Sequence, residues 1–355
     1  MAPTTIRRFP WLPESVESEN ILRIDWSGYS QIEACFRRAG HLLAWRRERD
    51  YDDKAQSFGK AIHAALDWRQ RHFGSGPYGP RCQREMEDVL KRHFDDVTLP
   101  EGEYRTLGRA KDVIGHYNAT WPSEDFEIVA SERAAERELG TAWFTTDDGQ
   151  LGGERGAVKV IWQGKTDGIW RDREGRNHGK DTKTSSRDEF ADVEGRGVSK
   201  GEAKYKMSGQ FKGYCWLFSG DEFGQVRDFI LDQVIVRKPI MRRTAASAPE
   251  NECKRHPFRF TDQQIDEWQR DTLAVISAWL TASARKDLPP PMMTTNCAWP
   301  TVCQFLACCE NANEDDRIRW LLSGNYRDRT WDPMAKEDER RTTTNDKLRH
   351  DKENV

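Results

Sequence analysis

The chain has 355 residues, 36% of them hydrophobic, and sets 56 Lys+Arg against 59 Asp+Glu for a formal net charge of −3. That balance excludes a globally basic nucleic-acid coat, so any nucleic-acid contact must run through local basic patches. The length supports one large domain or two ordinary ones, with a core large enough to need no disulfides. A mean hydropathy of −0.88 is polar, yet 14 Trp exclude general disorder. No apolar run approaches membrane-spanning length, and the opening MAPTTIRRFP lacks a signal-peptide stretch, so a cytoplasmic protein without a membrane partner is expected. Eight cysteines in such a compartment read as free thiols or metal ligands rather than disulfides.

Residues 1–26 read as an extended N-terminal segment. A helix is predicted from Ser27, with Ile32, Cys35, Phe36, Ala39 and Leu43 at helical spacing, and a second over 57–72, with Phe58, Ile62, Ala65 and Leu66 on one face. GSGPYGP at 74–80 is a breaker, and further helix is predicted over 81–94 and 105–120. Between 126 and 184 the runs FEIVAS, AVKVIW, GKTDGIW and GKDTKTS signal strands. Helix returns over 203–219, and 226–237 reads as a strand. Thr261 with Gln264 is a capping box, opening a helix whose apolar face is Ile265, Trp268, Val275, Ile276 and Trp279. Trp216, Phe218, Trp268 and Trp279 fall at core spacing and are not base-stacking platforms. The expected domains are 27–310, comprising a helical part (27–120) and a core (126–240), and a charged C-terminal tail over 311–355, almost wholly polar from about 334. A strand-rich centre flanked by helices is an α/β or α+β core.

The segment GKTDGIWRDREGRNHGKDTKTS carries the chemistry. Read as a hairpin turning at Arg173-Glu174-Gly175, with Gly175 in the left-handed position, it pairs Asp172 with Arg176. Five residues back and five forward, Asp167 then faces Asp181, and side-chain alternation puts Lys183 on the face of Asp181. Two carboxylates that close repel unless a cation sits between them, and Mg²⁺ or Mn²⁺ takes such oxygen ligands. A lysine beside the ion adds positive charge where a phosphoryl transition state needs it, or positions the attacking water. A lone D-x-K reads better as solvated residues on an ordinary hairpin; here a partner carboxylate, a turn and two flanking strands agree.

Gly164-Lys165-Thr166-Asp167 followed by Asp181-Thr182-Lys183-Thr184 resembles the PD-(D/E)XK nuclease superfamily, in its RecB-like branch with the phage and CRISPR-adaptation exonucleases. Gly59-x-x-x-His63 and Gln210-x-x-x-Tyr214 are similar to two further motifs of that branch, and the likeness spans roughly residues 27–309. The resemblance implies a restriction-endonuclease-like mixed central sheet flanked by helices. It implies that Asp167, Asp181 and the Thr182 carbonyl bind a divalent cation, that His63 adds a ligand and that Lys183 is catalytic. It also implies that Gln210 and Tyr214 line the site or touch DNA, and that a carboxylate precedes the hairpin: Glu132, with Glu136 as the alternate. Against each stands a plainer role: His63 packed or at the surface, Gln210 and Tyr214 capping the core, Glu132 facing solvent.

Cysteines form the last part of the likeness. Cys35 lies upstream of the core and Cys297, Cys303 and Cys309 follow it, an arrangement similar to the [4Fe–4S] nucleases of this branch. Such a cluster would join the N- and C-terminal helical segments. Adjacent Cys308 is an alternative last ligand, the spacing departs from the tidiest family pattern, and zinc is a rival occupant. Cys82, Cys215 and Cys253 read as buried apolar cysteines. Arg237, Lys238, Arg242 and Arg243 make a local basic stretch that would hold phosphates of a DNA strand, or end a solvated strand. No Walker loop is present, so helicase action would come from a partner protein, a recombination partner being the related expectation. The expected activity is a metal-dependent DNA exonuclease acting on ends or single strands in recombination, repair or phage DNA metabolism. A metal-stapled DNA-binding module without catalysis and a sequence-specific endonuclease are the alternatives.

Overall fold

The computed structural model describes residues 20–44, 46–49, 54–95, 103–146, 154–191, 199–220, 222–237, 251–284, 297, 302–310, 314–324, 326–329 and 334. In chain order its elements begin with β1 (Ile21–Ile24), α1 (Trp26–Ala34), α2 (Phe36–Ala39), a π-helical turn (Gly40–Ala44) and β2 (Arg47–Arg49). Three helices follow, α3 (Lys54–Phe73), α4 (Pro80–Phe94) and α5 (Leu107–Thr120), then the strands β3 (Glu127–Thr146), β4 (Glu154–Arg171) and β5 (Asn177–Ser185). After them come α6 (Lys200–Lys206), α7 (Gly209–Phe218), β6 (Val226–Ile235), β7 (Glu252–Arg259) and α8 (Asp262–Ala284). The chain closes with α9 (Leu306–Glu310), α10 (Glu314–Leu321) and β8 (Tyr326–Asp328).

The main sheet is mixed, in the order β1-β4-β5-β6-β7 with β3 also on β4. β1 with β4 and β5 with β6 run parallel, while β4 with β5 and β6 with β7 run antiparallel. This is the α/β class, a mixed central sheet flanked by helices. Two compact units can be distinguished: Met1–Asp50 with Ala134–Lys165 and Asp271–Val355, and Tyr51–Arg133 with Thr166–Arg270.

In the second unit, three helices bury one face each against the sheet. Phe58, Ile62, Ala65 and Leu66 of α3 recur at helical spacing and pack with Met86 and Leu90 of α4, Val113 and Ile114 of α5, and Val234 of β6. Each such side chain contributes about 1.5–3 kcal/mol of burial. Gly59 faces Thr184 so closely that a Cβ would stand 2.9 Å from the Thr184 Oγ1. Glycine there lets α3 lie directly on β5, and one turn further along α3 stands His63. In α7, Phe211 stacks on Phe229 of β6 at 4.1 Å between ring centroids, and Trp216 and Phe218 are buried, as their spacing predicts. Trp268, on the first turns of α8, is buried in this unit too. The Thr261–Gln264 capping box forms: the Thr261 amide donates to Gln264 Oε1 at 2.9 Å, and the Gln264 amide donates to Thr261 Oγ1 at 3.2 Å.

Several expectations need correction. The extended segment over 1–26 ends in β1, whose buried Leu22 and Ile24 alternate with outward residues while it pairs with Lys159–Trp162; residues 1–19 lie outside the described residues. AVKVIW and GKTDGIW are one strand, not two. The helix predicted from Ser27 starts at Trp26, where the Asp25 carboxylate accepts from the Gly28 amide at 2.8 Å. It breaks at Cys35, whose backbone is extended (φ −172°, ψ 122°). The helix predicted over 203–219 is two, divided at Met207–Ser208. The tail expected from 311 holds α10 and β8; β8 pairs with β2, and Leu321 and Tyr326 are buried with Leu42, Phe305 and Cys308. The segment beyond 334 lies outside the described residues.

Candidate active site

The hairpin between β4 and β5 sets the geometry. The Asp172 amide donates to the Arg176 carbonyl and the Gly175 amide to the Asp172 carbonyl, both at 3.0 Å, with Gly175 at φ +79°. The ladder runs from Arg171 opposite Asn177 to Gly168 opposite Lys180. One step further on that register stand Asp167 and Asp181, and the Thr182 amide donates to Asp167 Oδ2 at 2.6 Å. Lys183 Nζ lies 2.7 Å from Asp181 Oδ2, and His63 Nδ1 3.3 Å from Asp167 Oδ2. The structure therefore brings together Asp167, Asp181, Lys183 and His63. Side-chain exposure is 6% for Asp181, 20% for Asp167, 28% for His63 and 37% for Lys183, so the cluster opens to solvent on its lysine and histidine side.

Its charges push one another apart. Burial alone would raise the Asp167 carboxyl; the His63 charge and hydrogen bond, Lys180 and the Thr182 amide outweigh it and hold Asp167 well below the usual carboxylate range. Asp181 is shifted up, by burial first and by Asp167, against the opposing pull of Lys183. Burial opposes the charge on Lys183 and on His63, yet Asp181 keeps the lysine pKa raised and Asp167 keeps the histidine pKa raised. The two neighbouring carboxylates are thus shifted in opposite directions. Among the described residues no three His, Cys, Asp or Glu side chains already converge on a single ion position. Each carboxylate instead turns to a cationic side chain of the protein itself. Asp167, Asp181 and His63 are the oxygen and nitrogen donors of this cluster.

Gln210 and Tyr214 lie one turn apart on α7, with Gln210 Nε2 donating to Tyr214 Oη at 3.3 Å. Burial, followed by the Asp181 charge, pushes the Tyr214 phenol up, which puts it at the same cluster. Glu132 sits half-buried on β3 with φ +51°, a left-handed conformation that a non-glycine residue adopts only under local constraint. The alternate, Glu136, accepts from Gln163 Nε2 at 3.0 Å. Arg237 pairs with Glu252, and its carbonyl accepts from Arg109 at 3.4 Å; Lys238, Arg242 and Arg243 lie outside the described residues.

Two groups were missed at the sequence level. Lys180 is fully buried on the opposite face of β5, its Nζ donating to Thr182 Oγ1 at 2.6 Å and lying 3.5 Å from Asp232. The period-2 alternation that assigns Lys183 to the site also assigns Lys180 and Thr182 to the other face. Asp67 follows His63 by one helical turn and accepts from Ser131 Oγ at 2.7 Å.

Among the cysteines, Cys303 has Cys297, Cys35 and the charge of Arg38 beside it, and burial raises its thiol first of all. Cys309 has Cys303, Cys35 and a hydrogen bond from Arg37 beside it. Cys308 turns elsewhere: it is fully buried, 3.8 Å from His41 Nε2, and donates to the Arg317 carbonyl at 3.5 Å. Cys82 and Cys215 are buried as expected, and Cys253 is half-buried.

Residues 27–310 match the family model of the PD-(D/E)XK nuclease superfamily. The chain belongs to that superfamily. Its members are nucleases, hydrolases of phosphodiester bonds that generally use divalent cations. Among solved structures, this nuclease is similar to a candidate exonuclease from Eubacterium rectale at 13% identity, over 85% of this chain and 91% of that one, with a TM-score of 0.44. It is also similar to SSO0001 at 15% identity, over 61% and 74%, with a TM-score of 0.23. Neither likeness in shape bears on function. No curated protein matches the chain. No described helix of the nuclease is long and apolar enough to cross a membrane.

Proposed function

We propose that this nuclease is a Mg²⁺- or Mn²⁺-dependent DNA exonuclease of the RecB-like branch, working on ends or single strands in cytoplasmic recombination, repair or phage DNA metabolism. The observation that carries the reading is the meeting of Asp167, Asp181, His63 and Lys183 at the open edge of a buried hairpin. Asp167, Asp181, His63 and the Thr182 carbonyl would hold the cation. When bound, such an ion supplies Lewis acidity and an activated water for phosphodiester hydrolysis. Lys183 is the group free to leave its carboxylate partner and meet the scissile phosphate or orient the water, because it is the most exposed of the four. Gln210 and Tyr214 wall the site, and Glu132, strained on β3, is the candidate third carboxylate. Arg237 contributes to a phosphate track, since its exposed pair with Glu252 is worth little in water. Unwinding would fall to a partner helicase.

The same reading gives Cys35, Cys297, Cys303 and Cys309 a [4Fe–4S] cluster, with Cys308 left to the hydrophobic core. Cys35 lies beside both Cys303 and Cys309, and Cys297 beside Cys303.

End-labelled linear DNA and covalently closed circular DNA, incubated with Mg²⁺, Mn²⁺ or EDTA, test the activity. The expected result is metal-dependent loss of the linear substrate with the circle intact. A cut circle replaces the exonuclease by an endonuclease. Binding without cutting in either metal leaves a DNA-binding module.

A further inference from the structure

We propose that Met207 is an apolar wedge, set to press between the last base pairs of a DNA end held at the Asp167–Asp181–Lys183 site. The proposal rests on the DNA-nuclease reading of that site and adds how a duplex end is opened there. Met207 occupies the turn between α6 and α7. With 74% of its surface exposed, it is the most open of the large apolar side chains among the described residues.

The fold carries this turn to the open side of the site. Gly179 of β5 and Phe229 of β6 are register partners, and by alternation Asp181 and Lys183 share the face of Gly179. The Phe229 ring sits where a Gly179 Cβ would stand, so it lies on that face as well. Two rings of α7 stack on it, Phe211 at 4.1 Å and Tyr214 at 5.9 Å between centroids. The far end of α7 meets the start of β6, where the Val226 amide donates to Ser219 Oγ at 3.0 Å. Val226 stands beside Asn177, the first residue of β5. α7 therefore runs back along β5, and its N-terminal end points toward Lys183. α6 is tied to the same region, because the Gly201 amide donates to the carbonyl of Glu189, just past the end of β5, at 2.7 Å.

A lone exposed apolar side chain is common on protein surfaces. Met207 differs in how it is held and in the charge around it. Tyr205 before it and Phe211 after it are buried and stack on each other at 5.3 Å, which fixes the turn on both sides. Residues 200–212 carry four lysines and one acid, Glu202, a local charge suited to a polyanion. Lys204 and Lys206 pair with Glu189 and Glu202 at exposed positions, where a phosphate can replace the carboxylate at little cost. An apolar tip in a cationic surround fits a nucleic acid, which presents phosphates outside and apolar base faces within. Methionine is among the flexible side chains that proteins drive between base steps.

The test compares wild type, Met207→Ala and Met207→Leu, which should unfold at the same urea concentration because the side chain is exposed. The substrates, in Mg²⁺ or Mn²⁺, are a blunt duplex and the same duplex with its last pairs mismatched. Met207→Ala should slow degradation of the blunt duplex by about 10-fold, and of the mismatched one by much less. Met207→Leu should keep the wild-type ratio. A blunt duplex with 2-aminopurine in its terminal pair, bound in EDTA so that nothing is cut, should brighten with wild type as the base unstacks and stay dim with Met207→Ala. Should the duplex not bind without metal, the ratio of the two degradation rates decides. An unchanged ratio in Met207→Ala, or a wild type that degrades single strands but no blunt duplex, overturns the wedge and leaves the nuclease standing. A wild type that degrades no DNA overturns the nuclease reading and the wedge with it.

Discussion

Strand β5 places two lysines in aspartate pairs on opposite faces, Lys180 with Asp232 of β6 and Lys183 with Asp181, and they could hardly differ more in their surroundings. Lys180 and Asp232 stand 3.5 Å apart with 1% and 0% of their side chains exposed. Tyr117 donates to Asp232, Arg255 lies 3.7 Å from it, and Arg255 and Arg69 both pair with Glu124, at 2.6 and 2.7 Å. Aromatic faces complete the enclosure: Arg69 lies over Tyr78, and Arg255 over Trp121. On the other face Lys183 and Asp181 stand 2.7 Å apart, yet the lysine is 37% exposed and the neighbours are a second carboxylate and an imidazole. The back pair is enclosed, with almost no exposed surface, and reads as structural. The front pair keeps an open side, with carboxylates whose affinities for protons are driven in opposite directions. Residue type is the same on both faces; enclosure separates scaffold from site.

The largest effect expected from this contrast is on stability. Lys180→Met leaves Asp232 without its nearest cation in a closed interior and should cost about 3–5 kcal/mol in urea unfolding. Lys183→Ala should cost less than about 1 kcal/mol by the same measurement, because this lysine is 37% exposed and its ion pair is screened by water, but should slow cleavage by about 10²–10³-fold. Equal stability losses at the two lysines would break the distinction. Gly59→Val comes next. A Cβ there stands 2.9 Å from Thr184 Oγ1, so Thr184 or α3 must give way, and a shift of α3 carries His63 with it. The cost should be about 1–3 kcal/mol, and cleavage should fall by more than stability alone explains.

The smallest effect concerns pH. The His63 pKa is raised in the folded state, so its pair with Asp167 contributes stability that is fully present below the unfolded value of about 6.5 and is lost as pH rises through the folded value. The unfolding free-energy gap between wild type and His63→Gln should therefore shrink from mildly acidic to alkaline pH, by less than about 1 kcal/mol for so exposed a pair. A gap that widens with pH would reverse the assigned pairing.

Much of the front face was legible in the sequence, because it is local. A three-residue turn with Gly175 fixes the register, and strict alternation then carries Asp167, Asp181 and Lys183 to one place. Gly59 and His63 were legible as a motif, but the reason for the glycine, contact with Thr184 across 125 residues of chain, was not. The back network was not legible at all: Glu124 comes from the loop before β3, Asp232 from β6 and Arg255 from β7, and polar residues there give no periodic signal. β1 was missed because four residues are too few to show a period against a polar lead-in. The break at Cys35 was missed because Ile32, Phe36 and Ala39 keep helical spacing across it.

The most direct test of the central claim is degradation of end-labelled linear DNA by wild type and Lys183→Ala side by side, in Mn²⁺, Mg²⁺ and EDTA, with both proteins shown to unfold at the same urea concentration. Cleavage by wild type only with metal, and its loss in the equally stable variant, is the expected result. Undiminished cleavage by Lys183→Ala, or cleavage by wild type in EDTA, would contradict a cation-dependent site built on Asp167, Asp181 and Lys183.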